Sequence, residues 1–273
     1  PERVELLRRQ GLRVHTLQGT EEVTPVRASW RPREVGTVDL LLVAVKAYDT
    51  VRALRRVRAL VGPETTVLSL QNGWGNLERM QRALGNRGRP ALGVTAQGAT
   101  LLGAGHVRHA GQGQTVVGRD AAPAASLLRR CGVPVEVVED VRPAVWGKLA
   151  VNAGINPLSA ISGLPNGQLA ELPPLRRLVL RAAAEAEAVA RAAGVQLPWP
   201  AGERALAVCR ATAQNLSSML QDVLRGRRTE VDFINGAVVR LGRRLGVPTP
   251  LNAALWRLVR LLEALRNSSL LNS

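Results

Sequence analysis

Lys148, Asn152 and Asn156 stand at i, i+4 and i+8 in the segment 146–158, a spacing that puts an ammonium and two carboxamides on one face of a helix. Their neighbours Trp146, Leu149, Val151, Ile155 and Leu158 are apolar, so this helix reads as largely buried. Buried polar groups need hydrogen-bond partners. Asparagine is also a poor helix former, so propensity did not place two of them there. The groups satisfy one another or cap a neighbouring helix, or else they hold a ligand, which is the simplest supply of partners. Pro157 is expected to bend or end the helix near Asn156.

The lysine carries information of its own. Of 37 basic residues, 35 are arginine, and only Lys46 and Lys148 are lysine. A composition so biased uses arginine wherever a generic positive charge serves, so a surviving lysine marks a place where a guanidinium cannot substitute. Lysine is a compact ammonium whose pKa falls on burial, so it can give up a proton; arginine in effect cannot. Lys46 follows the apolar run 38–45, and Asn72 follows the run 65–70. If these runs are consecutive strands, both residues lie at strand carboxyl ends, where open α/β sheets bind ligands. Solvated turn residues are the alternative, since turns favour Asn-Gly. A third polar cluster runs from Asn215 to Asp222 and from Arg227 to Gly236. Taken alone it reads as a helix start, with Thr229 as N-cap, Glu230 in the first turn and Asp232 at the capping-box position.

The first half of the chain alternates strand and helix patterns. A helix is predicted over 4–9, and a strand buried on both faces of a parallel sheet over 38–45. A helix over 50–60 follows, broken by Gly62-Pro63, then a strand over 65–70, a helix over 77–84 and a strand near 92–95. Short strands between 103 and 138 include 105–110 and 114–118. Beyond about Asp140 the strands stop, and helices are predicted over 143–161, 168–193, 202–224, 230–245 and 250–265. The expected architecture is an α/β domain over 1–140 joined directly to an all-α domain over 141–273, with a ligand cleft where they meet.

Composition excludes several classes. Hydrophobic residues at 46% exclude intrinsic disorder. No apolar run reaches the roughly 18 residues of a membrane span, because arginines interrupt each one. The first residues show no signal-peptide pattern. Cys131 and Cys209 are far apart, which argues against a disulfide framework and a zinc–cysteine site and fits a reducing cytoplasm. The formal charge of +16 would attract anions. Basic residues are scattered in short pairs and aromatic residues make up only 3%, so nucleic-acid binding is not expected. His15, His106 and His109 have no carboxylate or cysteine at metal-ligand spacing, so no metal site is expected.

Seven strings carry a resemblance: Val45-Lys46-Ala47, Gln71-Asn72-Gly73, Trp146 to Asn152, Ile155 to Leu158, Pro165-Asn166-Gly167, Ser217 to Asp222, and Thr229 to Gly236. In this order the chain resembles the ketopantoate reductase (2-dehydropantoate 2-reductase) family. The resemblance implies a Rossmann-like dinucleotide-binding domain followed by a helical substrate and dimerisation domain. It implies NADPH-dependent reduction of ketopantoate to pantoate, in pantothenate and coenzyme A synthesis. Lys148 would be the general acid that protonates the C2 oxygen. Asn72, Asn152, Asn156, Asn166, Asn215 and Ser218 would orient the substrate, and Glu230 would bind its hydroxyl. Lys46, with Asn72 and Glu230, would sit on the nicotinamide side, and the helical half could support a homodimer. The family's opening βαβ unit with G-x-G-x-x-G is not found, because Gly73-x-Gly75 and Gly111-x-Gly113 do not complete that fingerprint. The Rossmann-like domain is therefore expected to be truncated at its first βαβ unit, and the NADP(H) preference rests on the resemblance alone. Two alternatives stay open: a reductase of a different 2-oxo acid, and a non-catalytic fragment without its cofactor site.

Overall fold

The computed structural model describes residues 2–267. The chain divides into two compact units. Among the described residues one comprises 2–45, 49–71 and 76–141; the other comprises 46–48, 72–75 and 142–267.

The first unit opens with α1 (Glu2–Gln10), β1 (Leu12–His15) and β2 (Glu21–Thr24), continues through β3 (Leu40–Val43), α2 (Thr50–Arg56), β4 (Thr66–Ser69) and α3 (Asn76–Leu84), and then forms β5 (Arg89–Thr95), β6 (Gly98–Gly103), β7 (His106–Gly111) and β8 (Thr115–Gly118). It ends with α4 (Ala122–Arg130) and β9 (Val135–Val138). A five-stranded sheet has the order β3-β4-β5-β8-β9, with β5 and β8 antiparallel and the other neighbours parallel. All four residues of β4 are buried, and their alternation explains the layering. Val67 packs with Val43, Leu54, Met80 and Leu84 under α2 and α3, whereas Leu68 packs with Ala91, Val117, Ala125 and Leu128 under α4. Helices thus cover both faces. β3 departs from the expectation of burial on both faces, since Leu42 is 45% exposed. Among the described residues β3 pairs with β4.

A second sheet, β2-β1-β7-β6, was not legible except in β7. β2 is exposed along its whole length, so it carries no buried alternation to read.

The second unit is helical: α5 (Arg142–Ser162), α6 (Asn166–Glu171), α7 (Pro173–Ala192), α8 (Ala201–Ala211), α9 (Ser218–Leu224), α10 (Asn235–Leu245) and α11 (Pro250–Asn267). Its core is built on α5, whose Trp146, Leu149, Ala150, Ala153 and Ile155 pack with Val179, Ala182, Ala183 and Ala186 of α7. A Cβ on Gly154 would lie 2.9 Å from the Val179 carbonyl oxygen, so glycine lets these two helices approach.

Three predicted helices are interrupted. The one over 168–193 breaks at Leu172, which is extended (φ −74°, ψ 115°) because it precedes Pro173. The one over 202–224 breaks before Ser217, whose hydroxyl accepts from the Leu220 N–H at 3.1 Å and caps a new helix. The helix expected from Glu230 begins only at Asn235, with residues 231–234 in turns. Thr229 Oγ1 accepts from the Val231 N–H at 3.2 Å, a local turn rather than a cap. Asp232 is no capping-box acid: it accepts from Trp256 Nε1 at 2.8 Å and from the Arg228 guanidinium at 2.9 Å. Burial would raise its pKa, but these bonds and the nearby Arg260 hold it lowered.

Pro157 does not end α5, which runs on to Ser162. Proline removes the N–H that would reach the carbonyl four residues back, that of Ala153. The Asn235 side chain replaces it, donating to Ala153 O at 3.0 Å and to Asn252 Oδ1 at 2.9 Å. Asn235→Ala should lower stability by about 1–3 kcal/mol, the penalty for an unpaired buried acceptor. Denaturant melts of a double-mutant cycle check this: in a Pro157→Ala background, where position 157 regains its N–H, the same substitution should be clearly milder.

Candidate active site

The two loops that follow β3 and β4 are fixed by Gln71. Its amide nitrogen donates to Val45 O at 2.6 Å and to Thr50 Oγ1 at 2.8 Å, and its Oε1 accepts from Ser69 Oγ at 2.9 Å. One side chain therefore braces the residue before Lys46 and adjoins Asn72 itself. Asn72 belongs to a segment locked onto Phe233. Trp74 N–H donates to Phe233 O at 2.9 Å, and Gly73 has φ +88° with an ideal Cβ position 2.6 Å from that oxygen. Both the conformation and the space require glycine there. The Phe233 N–H donates in turn to Glu230 O at 2.9 Å, so the Asn72 segment and the Glu230 turn share one backbone framework.

Glu230 is 6% exposed and Asp222 5% exposed. Burying two carboxylates requires partners. Lys46 Nζ donates to Asp222 Oδ2 at 2.5 Å and lies 3.5 Å from Glu230 Oε2, while the Ala47 N–H donates to Glu230 Oε1 at 3.0 Å. Burial alone would lower the Lys46 pKa, but the Glu230 charge, the bond to Asp222 and the Asp222 charge outweigh it, leaving the pKa raised. Lys46 is a fixed cation.

Lys148 is held differently. It lies on α5 beyond Trp146, which is fully buried and packs on Trp74 at a ring separation of 4.8 Å. Desolvation dominates at Lys148 and lowers its pKa, with the Glu230 charge opposing that shift. The only two lysines of the chain thus both feel the charge of one carboxylate, with opposite pKa shifts. Titratable neighbours pushed apart by their environments are the mark of groups with separate acid–base and electrostatic roles.

Asn152 and Asn156 follow Lys148 on the same helix face; Asn156 is 5% exposed and Asn152 partly exposed. The Trp146 indole N–H is buried without a hydrogen-bond partner among the described residues. Asn166 opens α6, where its amide donates to Thr212 Oγ1 at 2.9 Å and its backbone N–H to Asn215 O at 3.0 Å. Its Oδ1 is buried with no donor among the described residues. The Asn215 and Ser218 side chains are exposed, at the end of the 212–217 loop and the start of α9. The geometry therefore gathers Lys46, Lys148 and Glu230 around shared charges, and links Asn166 with Asn215 through the loop before α9.

Two members were missed. Asp222 stands inside the Ser217–Asp222 string, but its partner Lys46 is 176 residues away and gives no local signal. Gln71 adjoins Asn72, and only the strand pairing shows what it braces.

Two family profiles match the chain: "Ketopantoate reductase PanE/ApbA" over residues 1–121 and "Ketopantoate reductase PanE/ApbA C terminal" over residues 140–263. A protein of Halobacterium salinarum named 2-dehydropantoate 2-reductase is 39% identical over 269 residues, covering 94% of this chain and 86% of that protein. One of the same name from Vibrio cholerae is 37% identical over 279 residues, covering 95% and 90%. Among solved structures, a PanE/ApbA family ketopantoate reductase from Ralstonia eutropha superposes with a TM-score of 0.90 at 37% identity, covering 98% of this chain and 90% of that one. D-mandelate dehydrogenase with NADH and anilino(oxo)acetate superposes with a TM-score of 0.88 at 25% identity, covering 98% and 89%.

Proposed function

The chain belongs to the ketopantoate reductase family, and from that premise we propose that it reduces 2-dehydropantoate to pantoate with NADPH, a step of pantothenate and coenzyme A synthesis. The observation that carries this reading is that the charge of Glu230 acts on both lysines, one held protonated and one with a lowered pKa.

Reduction of a 2-oxo acid adds a hydride to C2 and a proton to the oxygen. Bound reduced nicotinamide supplies the hydride. As hydride arrives, negative charge grows on the C2 oxygen. The Lys148 ammonium stabilises that charge and then transfers its proton, leaving neutral lysine and the alcohol. A lowered pKa makes this ammonium the better acid. Asn72, Asn152, Asn156, Asn166, Asn215 and Ser218 orient the substrate's carboxylate and hydroxyl, and Glu230 accepts from the hydroxyl. Its carboxylate is already set in place by the Ala47 N–H and Lys46, so it needs little reorganisation. The donor set fits the reactive end of a nicotinamide cofactor: Lys46 keeps 34% of its side chain exposed, which leaves ammonium protons for a carboxamide oxygen. No G-x-G-x-x-G string stands in the sequence, so no residue is assigned to the pyrophosphate. A homodimer through the helical unit and the preference for NADPH are both inferred from the family.

Asp222 positions Lys46. Asp222→Asn removes a charge-assisted bond worth about 1.5–3 kcal/mol, so kcat/KM should fall roughly ten- to a hundredfold while the Lys148 pH dependence stays in place. Steady-state kinetics across pH checks both halves of that statement.

The likeness to D-mandelate dehydrogenase favours one second reading, a reductase of another 2-oxo acid on the same fold. Comparing kcat/KM for ketopantoate, phenylglyoxylate and 2-oxoisovalerate, each with NADPH and NADH, separates the two. Ketopantoate with NADPH should give the highest value; a higher value for phenylglyoxylate would replace the substrate.

A further inference from the structure

We propose that His15, Glu21 and His106 form a binding site for a borderline divalent cation of the zinc type. The three residues are scattered in sequence and are assembled by strand pairing. In the antiparallel β1–β2 ladder His15 lies directly opposite Glu21. In the parallel β1–β7 ladder Arg13 lies opposite His106, so His106 is the diagonal neighbour of His15 on the same face. His15 Nε2 is 3.2 Å and His106 Nε2 3.7 Å from Glu21 Oε2, and one ligand atom from each residue lies within 4.8 Å of the others.

Zinc bonds of about 2.0–2.2 Å place tetrahedral ligands roughly 3.3–3.5 Å apart. The two Glu21 edges bracket that separation, and the third, between the histidine nitrogens, lies within 4.8 Å, so closing the site draws the two imidazoles together around the ion. Two further features point to a ligand. His106 Nε2 is buried and has no hydrogen-bond partner among the described residues, because the Glu21 oxygen is too far. The two imidazoles stack at 4.9 Å with 29° between their planes, which turns both toward the same carboxylate. Arg13 Nε, 3.3 Å from Glu21 Oε1, occupies the other oxygen and leaves Oε2 to the histidines. Arg108 lies opposite His15 on β7 and adds positive charge, so the site selects ligands bound through nitrogen lone pairs rather than by charge alone. Two imidazoles and one carboxylate leave a coordination position for water or a small anion. A metal here ties β2, β1 and β7 together, and it uses no residue of the Lys148 set.

The test uses untagged, chelator-stripped full-length protein titrated with zinc sulfate, with bound metal measured after desalting. One zinc per chain is expected, with a rise in Tm of roughly 5 °C at a hundredfold excess over Kd. His15→Gln, His106→Gln and Glu21→Gln should each weaken binding at least roughly tenfold, as loss of a ligand requires. His109→Gln and Cys131→Ser should leave it unchanged. Circular dichroism of each metal-free variant verifies its fold, and His15→Ala and His106→Ala provide a second set. Absence of binding to the wild type, or undiminished binding in the His15 and His106 variants, would overturn the proposal.

Discussion

Lys148→Met lowers kcat/KM for ketopantoate reduction by roughly 10²–10⁴-fold, the contribution of a positioned general acid, while the protein remains folded. Methionine keeps the length of the side chain and removes the transferable proton. The stability half of this prediction follows from the sign of the pKa shift. Burial lowers the Lys148 pKa in the folded protein, so the unfolded chain binds the proton more tightly. At neutral pH the charged lysine therefore destabilises the fold, and that penalty fades only as pH rises towards the unfolded lysine value. The methionine variant should melt at a temperature no lower than the wild type at pH 7. Activity lost together with a collapse in Tm would assign Lys148 a structural role instead. Lost activity with an intact melt is the signature of a site that trades stability for chemistry.

Glu230→Gln gives the second large effect and a directional test. The Glu230 charge raises the Lys148 pKa against desolvation and also helps hold Lys46 protonated. Removing it lets desolvation act unopposed, so the Lys148 pKa falls further. The alkaline limb of the reduction profile, where Lys148 loses its proton, should move to lower pH. The variant also loses charge-assisted bonds worth about 1.5–3 kcal/mol each. KM for ketopantoate should therefore rise together with the fall in kcat/KM. Full kinetic profiles of wild type and variant provide the check. A limb that stays in place or moves upward would break the electrostatic link between the two residues.

The parts legible in the sequence were those with local periodicity. The Lys148–Asn152–Asn156 stripe sits on one helix because a 3.6-residue repeat is a local property, and α5 matches its predicted span within a residue at each end. β4 and the alternation of its side chains were readable for the same reason. Glu230 was singled out, yet its helix was drawn five residues too early. Thr229 imitates a cap, while its hydroxyl in fact closes a local turn. Pro157 read as a helix breaker because the donor that compensates for it, Asn235, lies far along the chain. The Lys46–Asp222 pair and the His15–Glu21–His106 group were invisible for one shared reason. Each is made by pairing or packing between distant segments, and no spacing within a segment encodes it. β1 and β2 escaped because each spans four residues and fully buries none of them, too little to leave a pattern.

The central claim is that Lys148 delivers the proton when this chain reduces ketopantoate. The measurement that bears on it most directly is the pH dependence of kcat/KM for NADPH-driven ketopantoate reduction, with pantoate quantified as product, in wild type and Lys148→Met. The wild type should fall tenfold per pH unit at the alkaline end, with a midpoint below the ordinary lysine value. The residual activity of the variant should lack that limb. A wild-type profile flat through this range, or a limb that persists in Lys148→Met, would contradict the assignment.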